Sequence, residues 1–132
     1  MRATMDAYGE RAACPLYTAI AVIDGRWKPM IFQRLSERPR GFAELRRAMP
    51  HVTAKVLREQ LRQMTVDDLI VREPLTPARL GVRYRVTRHG RSLQPVFAML
   101  WSWGRSHLAR AGALDGTRAF SPARSSAPTH YP

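Results

Sequence analysis

Cysteine is almost missing from this chain: Cys14 is its only one, so no internal disulfide framework can form. Lysine is nearly as scarce, since of 22 basic residues only Lys28 and Lys55 are lysine and the other 20 are arginine. Acids number just 10. No stretch approaches the roughly 20 apolar residues that span a bilayer, so a membrane partner is not expected. The opening Met1-Arg2-Ala3-Thr4-Met5-Asp6 does not lead into the apolar segment of a secretory signal. A lone cysteine without such a signal points to the reducing cytoplasm.

What is present is a chain of 132 residues, 45% hydrophobic, sized for one domain with one core. Its net charge is +12, which favours a polyanionic partner. From Cys14 to Arg110 there are 18 Lys and Arg against 7 Asp and Glu, so eleven of the twelve net charges lie in this stretch and not in a basic tail. Residues 1–13 lack a pattern and read as an N-terminal extension. Residues 111–132 are crowded with turn formers and read as a flexible C-terminal tail. The folded domain is therefore expected at 14–110.

Within it, apolar spacing predicts a helix from Pro15 through Leu16, Ala19, Ile20 and Ile23 to Asp24-Gly25, and a second carrying Trp27, Met30, Ile31 and Leu35. A third, short helix follows Phe42, with Leu45, Ala48 and Met49 on one side and Pro50 at its end. After the tight Pro50-His51-Val52 link, Thr53 is a good N-cap for a fourth helix to about Thr65. Leu57, Leu61 and Met64 share its inner face, which leaves Lys55, Arg58, Glu59 and Arg62 outward. Strand-like Leu69 to Glu73 and Val82 to Val86 flank a loop with Pro and Gly, and Val82, Tyr84 and Val86 alternate with Arg83 and Arg85. Thr87 is expected to cap a last helix bearing Leu93, Val96, Phe97, Leu100, Trp101, Trp103 and Leu108, more apolar residues than one small core needs.

The fold class is thus mainly α with a small β-hairpin (α+β), a helix-turn-helix followed by a wing. The major groove of DNA admits one helix while the preceding helix braces it. Residues 53–65 form the candidate reading helix: Thr53 and Ala54 permit close approach, and Lys55, Arg58 and Arg62 reach phosphates or guanine edges. Glu59 accepts from a cytosine amino group or pairs with Lys55 one turn away. Arg79 at the hairpin loop, with Arg72, Arg83 and Arg85 on its strands, suits the narrow minor groove. The alternative is a basic RNA-associated or architectural protein without operator specificity. It needs exposed aromatics for stacking, yet Trp27, Phe42, Tyr84 and Phe97 sit at core-like positions. Catalysis is not expected: His51, His89, His107 and His130 lack metal spacing, and no glycine-rich phosphate loop follows a strand. No cofactor or metal is called for.

The order of motifs resembles the HxlR family of bacterial, MarR-like winged helix-turn-helix transcriptional regulators. The resemblance rests on Cys14-Pro15-Leu16, Gly25-Arg26-Trp27, Phe42-Ala43-Glu44-Leu45-Arg46-Arg47, and Lys55-Val56-Leu57 with Leu61-Arg62. It continues through Val82-Arg83-Tyr84-Arg85-Val86-Thr87, Gly90, Leu93 and Trp103-Gly104. It implies a homodimer that binds double-stranded DNA as a repressor or activator; repression from a pseudo-palindromic operator, in the cytoplasmic nucleoid, is the prior that small dimeric regulators suggest. The first and last helices would make the dimer contact, through Leu16, Ile20, Leu93, Val96, Phe97, Leu100, Trp101 and Trp103. It also carries to Cys14 the sensing of oxidants or electrophiles, which a thiolate at a helix N-terminus permits; a small-molecule or oxidant effector is then a partner. Two positions depart from the family. Ala43 stands where the family usually has Ser or a similar cap, a loss of about 0.5–2 kcal/mol for the third helix. Asp68 stands where it usually has Gly, at a turn where a left-handed conformation is expected.

Overall fold

A computed structural model describes residues 14–112. The N-terminal extension and nearly all of the C-terminal tail expected from the sequence lie outside the described residues. The helices α1 (Pro15–Ile23), α2 (Lys28–Glu37), α3 (Phe42–Ala48) and α4 (Ala54–Val66) precede strands β1 (Ile70–Pro74) and β2 (Val82–Val86). A short α5 (Arg88–Arg91) and a long α6 (Gln94–Arg110) complete the order.

The core gathers the inner faces of these elements. Ile31, Phe32 and Leu35 of α2, Leu45 of α3 and Leu57, Leu61 and Met64 of α4 are buried together with Met49, Val52, Leu69, Ile70, Val86 and Phe97. The helical step of three and four on α4 therefore has the inner face that its sequence predicts. Between α3 and α4 the link turns tightly, with the Val52 N–H donating to the Met49 carbonyl at 3.2 Å and the Val52 side chain buried.

Four local features differ from, or sharpen, the sequence expectation. Helix α3 begins at Phe42 with Gly41 in the cap position, so Ala43 is its second residue and the expected loss of a capping bond does not arise. The Gly41 N–H instead donates to Glu44 Oε1 at 3.5 Å. Asp68 does adopt the left-handed region, at φ 59°, and its carbonyl accepts from the Thr87 hydroxyl. The Pro39-Arg40-Gly41 turn also contributes a third rung to the wing, because Arg40 and Tyr84 exchange backbone hydrogen bonds of 3.1 and 2.8 Å. Finally, the last helix is two. Thr87 caps only α5, accepting from the Gly90 N–H at 2.8 Å, and α6 restarts at Gln94. Pro95 explains the break: it has no N–H to give to the Arg91 carbonyl, and its ring would collide with that carbonyl in a continuous helix.

The hairpin pairs in the register Ile70 with Val86, Arg72 with Tyr84 and Glu73 with Arg83. Its base is joined to α5 by a close approach at Gly90. A Cβ at this buried glycine would stand 2.0 Å from the Leu69 carbonyl oxygen and 2.9 Å from Val86 Cγ1. The same carbonyl accepts the Thr87 N–H at 3.0 Å, so displacing it would open the start of the wing. Gly90→Ala is therefore expected to lower the unfolding free energy by about 3 kcal/mol, and Arg91→Ala, at an exposed neighbour, to leave it nearly unchanged, as read by urea denaturation.

Candidate nucleic-acid interface

Helix α4 owes its start to Thr53, whose Oγ1 accepts the Val56 N–H at 3.2 Å. With Leu57, Leu61 and Met64 turned inward, Lys55, Arg58, Glu59 and Arg62 form an exposed outward stripe at steps of three and four. Thr53 is exposed and Ala54 half-buried at the same end. The stripe is not a row of free charges. Arg62 donates through Nε and Nη2 to the two oxygens of Glu59, at 3.0 and 2.7 Å, and Gln63 Nε2 donates to Glu59 Oε1 at 3.1 Å. The pairing of Glu59 with Lys55 suggested by their spacing is thus replaced by one with Arg62, whose forked guanidinium matches a carboxylate where an ammonium does not. The guanidinium of Arg58 lies 4.9 Å from the Phe42 ring centre, a cation–π contact that ties α4 to the start of α3.

Beneath this face lies a group that the sequence did not single out. Lys28, the first residue of α2, is buried, and burial lowers its pKa against the raising influence of Asp67, Asp24 and Glu59. No local pattern separates it from a solvated lysine; only the tertiary structure does.

The wing divides its arginines. Glu73 holds Arg83 Nε at 2.8 Å and Arg85 Nε at 3.5 Å on one face of the hairpin, and the bond to Arg83 is the main reason its pKa is lowered. Arg72 projects from the other face, beside Tyr84. Arg79 sits in a 3-10 turn, Ala78–Leu80, at the tip, exposed and without an ion pair among the described residues. The tip is pinned below by the Leu75 N–H donating to the Gly81 carbonyl at 2.8 Å, and Gly81 takes a φ of 103° that favours glycine. One basic face expected along the strands is thus a face partly neutralised by Glu73, with a free cation at its end.

The apolar residues expected at a dimer contact also divide. Leu16 and Ile20 of α1 and Val96, Leu100 and Trp103 of α6 are exposed, Trp103 at 66%. Tyr17 and Met99 extend the same surfaces, although the sequence reading passed over them. Leu93 and Trp101 are half-buried. Phe97 belongs to the core of the single chain, 6% exposed with its ring 4.7 Å from that of Phe32. Its placement with the interface residues is corrected by one helical step: positions 96, 100 and 103 face out, and 97 faces α2. Cys14 is exposed at the cap position of α1. Trp27, Phe42 and Tyr84 are half-buried, so none offers an open stacking face beside the arginines. Among the described residues there is no group of His, Cys, Asp and Glu that could hold a metal ion, and no helix long and apolar enough to cross a membrane.

Residues 22–111 match the model of the HxlR-like helix-turn-helix family. The chain belongs to this family. The HTH-type transcriptional regulator YybR of Bacillus subtilis is 32% identical over 100 residues, 76% of this chain and 80% of the relative. The reduced form of the redox regulator HypR superposes with a TM-score of 0.66 at 29% identity, over 75% of this chain and 98% of that one. Reduced YodB of B. subtilis gives a TM-score of 0.64 at 29% identity, over 70% and 92%. The fold is accordingly the winged helix of MarR-like regulators, and the family is one of DNA-binding transcriptional regulators, not of enzymes.

The Glu59 carboxyl, held first by Arg62 and next by Gln63, has its pKa lowered from 4.5 to about 2. The ion pair therefore contributes fully above about pH 4.5 and is lost as pH falls through about 2. Carbon-detected NMR titration is expected to place the Glu59 midpoint near the lower value, and in Arg62→Gln to move it towards 4.5. A midpoint unmoved by the substitution would show that Arg62 is not its partner in solution.

Proposed function

We propose that this HxlR-type chain is a homodimeric repressor that binds a pseudo-palindromic operator in double-stranded DNA. Helix α4 enters the major groove of each half-site and the wing tip reaches the minor groove, with half-site centres about 34 Å apart. The observation that carries the reading is the exposed stripe of Lys55, Arg58, Glu59 and Arg62 on a helix held in rotation by three buried side chains. Thr53 and Ala54 at its start favour close approach to a phosphate at the first free N–H groups. Arg79 supplies the cation of the wing, and Arg72, Arg83 and Arg85 strengthen the field around it. Fluorescence anisotropy with the chain's own upstream region, at several salt concentrations, tests this. Preference over random duplex is expected, and its absence would overturn the assignment. Arg79→Ala is expected to weaken binding across sequences and flatten the salt dependence by about one unit of slope.

The apolar surfaces of α1 and α6 support the dimer. Val96, Met99, Leu100 and Trp103 lie along one side of α6 at steps of three and four, and single chains rarely leave such a stripe to water. Leu100→Asp together with Trp103→Asp is expected to give a monomer by analytical ultracentrifugation, with specific DNA affinity lost alongside.

Cys14 is our candidate sensor. HypR is described as a redox regulator, and YodB has been solved reduced, diamide-treated and quinone-bound. An exposed thiol at a helix start is open to the same reagents. In a dimer, two Cys14 thiols would lose two electrons and two protons to diamide and close one intermolecular disulfide. Non-reducing electrophoresis is expected to show the linked dimer after diamide, absent in Cys14→Ser, with DNA affinity changed only in the wild-type chain.

A further inference from the structure

Resting on the reading of α4 as the groove-bound helix, we propose that Arg62 reads a guanine and that Glu59 is the residue that positions it, instead of a base contact in its own right. The argument starts from the donors of the guanidinium. Arginine has five N–H bonds, one on Nε and two on each terminal nitrogen, arranged in a plane. Glu59 takes the Nε side: its oxygens receive Nε at 3.0 Å and Nη2 at 2.7 Å. Three N–H bonds remain: one of Nη1 and the second of Nη2 lie parallel at the end of the fork, directed away from the carboxylate, and the other of Nη1 points back along the side chain.

Two parallel donors need two adjacent acceptors. In the major groove the edge of guanine supplies them, O6 beside N7, whereas adenine places a donor beside N7, thymine offers a single acceptor beside its methyl, and cytosine offers a donor. The bound carboxylate is itself steadied by Gln63 at 3.1 Å, which limits the freedom of the whole group. Three of the carboxylate's roughly four acceptor sites are thereby taken, two by Arg62 and one by Gln63, so the main partner of Glu59 is Arg62 and not a base. The pairing has an electrostatic consequence too: a carboxylate approaching the phosphates of DNA is repelled unless a cation screens it, and Arg62 does so at 2.7 Å. Neither residue is buried, and α4 holds them at positions 59 and 62, three apart on the outward stripe, so the arrangement is available to DNA without unfolding any element.

The test uses the full chain and its specific upstream duplex, in which guanines are replaced one at a time by 7-deazaguanine, a base that keeps Watson–Crick pairing but lacks the N7 acceptor. In the wild-type chain, one guanine per half-site is expected to lose affinity by at least about fivefold on replacement. Arg62→Lys is expected to abolish the sensitivity at that guanine and no other. Glu59→Gln is expected to abolish or strongly reduce the same sensitivity, while affinity for random duplex holds or rises because a negative charge has gone. The double variant should be no worse at that guanine than either single one. Thermal melts of the variants should match the wild-type chain, since both side chains are on the surface. Full discrimination at the guanine in Glu59→Gln, or none that depends on Arg62 in a chain that still prefers its operator, overturns this assignment alone. No preference for any sequence in the wild-type chain overturns the operator reading with it.

Discussion

The burial of Leu57, Leu61 and Met64 against α2, α3 and the hairpin base is the constraint on which the rest depends. A helix can present any of its sides to a ligand; only a committed inner seam fixes which side is left over. Three fully buried side chains on α4 remove several kcal/mol of apolar surface from water, enough to hold its rotation about its axis. Lys55, Arg58, Glu59 and Arg62 then share the outer side because 3.6 residues make a turn. The tight link at Val52 and the cap at Thr53 set where that helix begins, and Gly90 lets α5 press close to Leu69, where the hairpin leaves the end of α4.

Charge in this molecule is organised by pairing more than by number. A net +12 suggests a uniformly basic surface, yet Glu59 holds Arg62, Glu73 holds Arg83 and Arg85, and Glu44 holds Arg38. Each of these pairs is exposed or half-exposed and weak as a source of stability. Their effect is on direction: a guanidinium anchored on one edge keeps its other edge aimed, and one with no anchor, like that of Arg79, sweeps a wider volume. The same principle governs Arg58, which rests on Phe42.

The long α6 joins two roles through its periodicity. Phe97 turns inward to Phe32 and secures the helix to the core, whereas Val96, Leu100 and Trp103 turn away and are exposed. The Pro95 restart sets the phase of this helix independently of α5, so the close packing at Gly90 and the outward stripe do not have to agree on one continuous helical register.

Apart from the break between α5 and α6, element types and order were legible in the chain itself, because they depend on local causes: spacing of three and four on α1 to α4, alternation in Val82 to Val86, the cap at Thr53, the left-handed turn at Asp68. The stripe on α4 was legible for the same reason. What the sequence could not settle are contacts between residues that compete for the same partner, or that are distant along the chain. Lys55 and Arg62 both stand within one turn of Glu59, and only side-chain geometry chose Arg62. Glu73 meets Arg83 across the hairpin, Arg40 meets Tyr84 across 44 residues, and Lys28 is buried within reach of the charges of Asp67, Asp24 and Glu59. Periodicity tells which side of a helix is apolar; whether an apolar residue such as Phe97 or Leu100 meets its own core or faces outward depends on the direction of its neighbours, which tertiary packing alone decides.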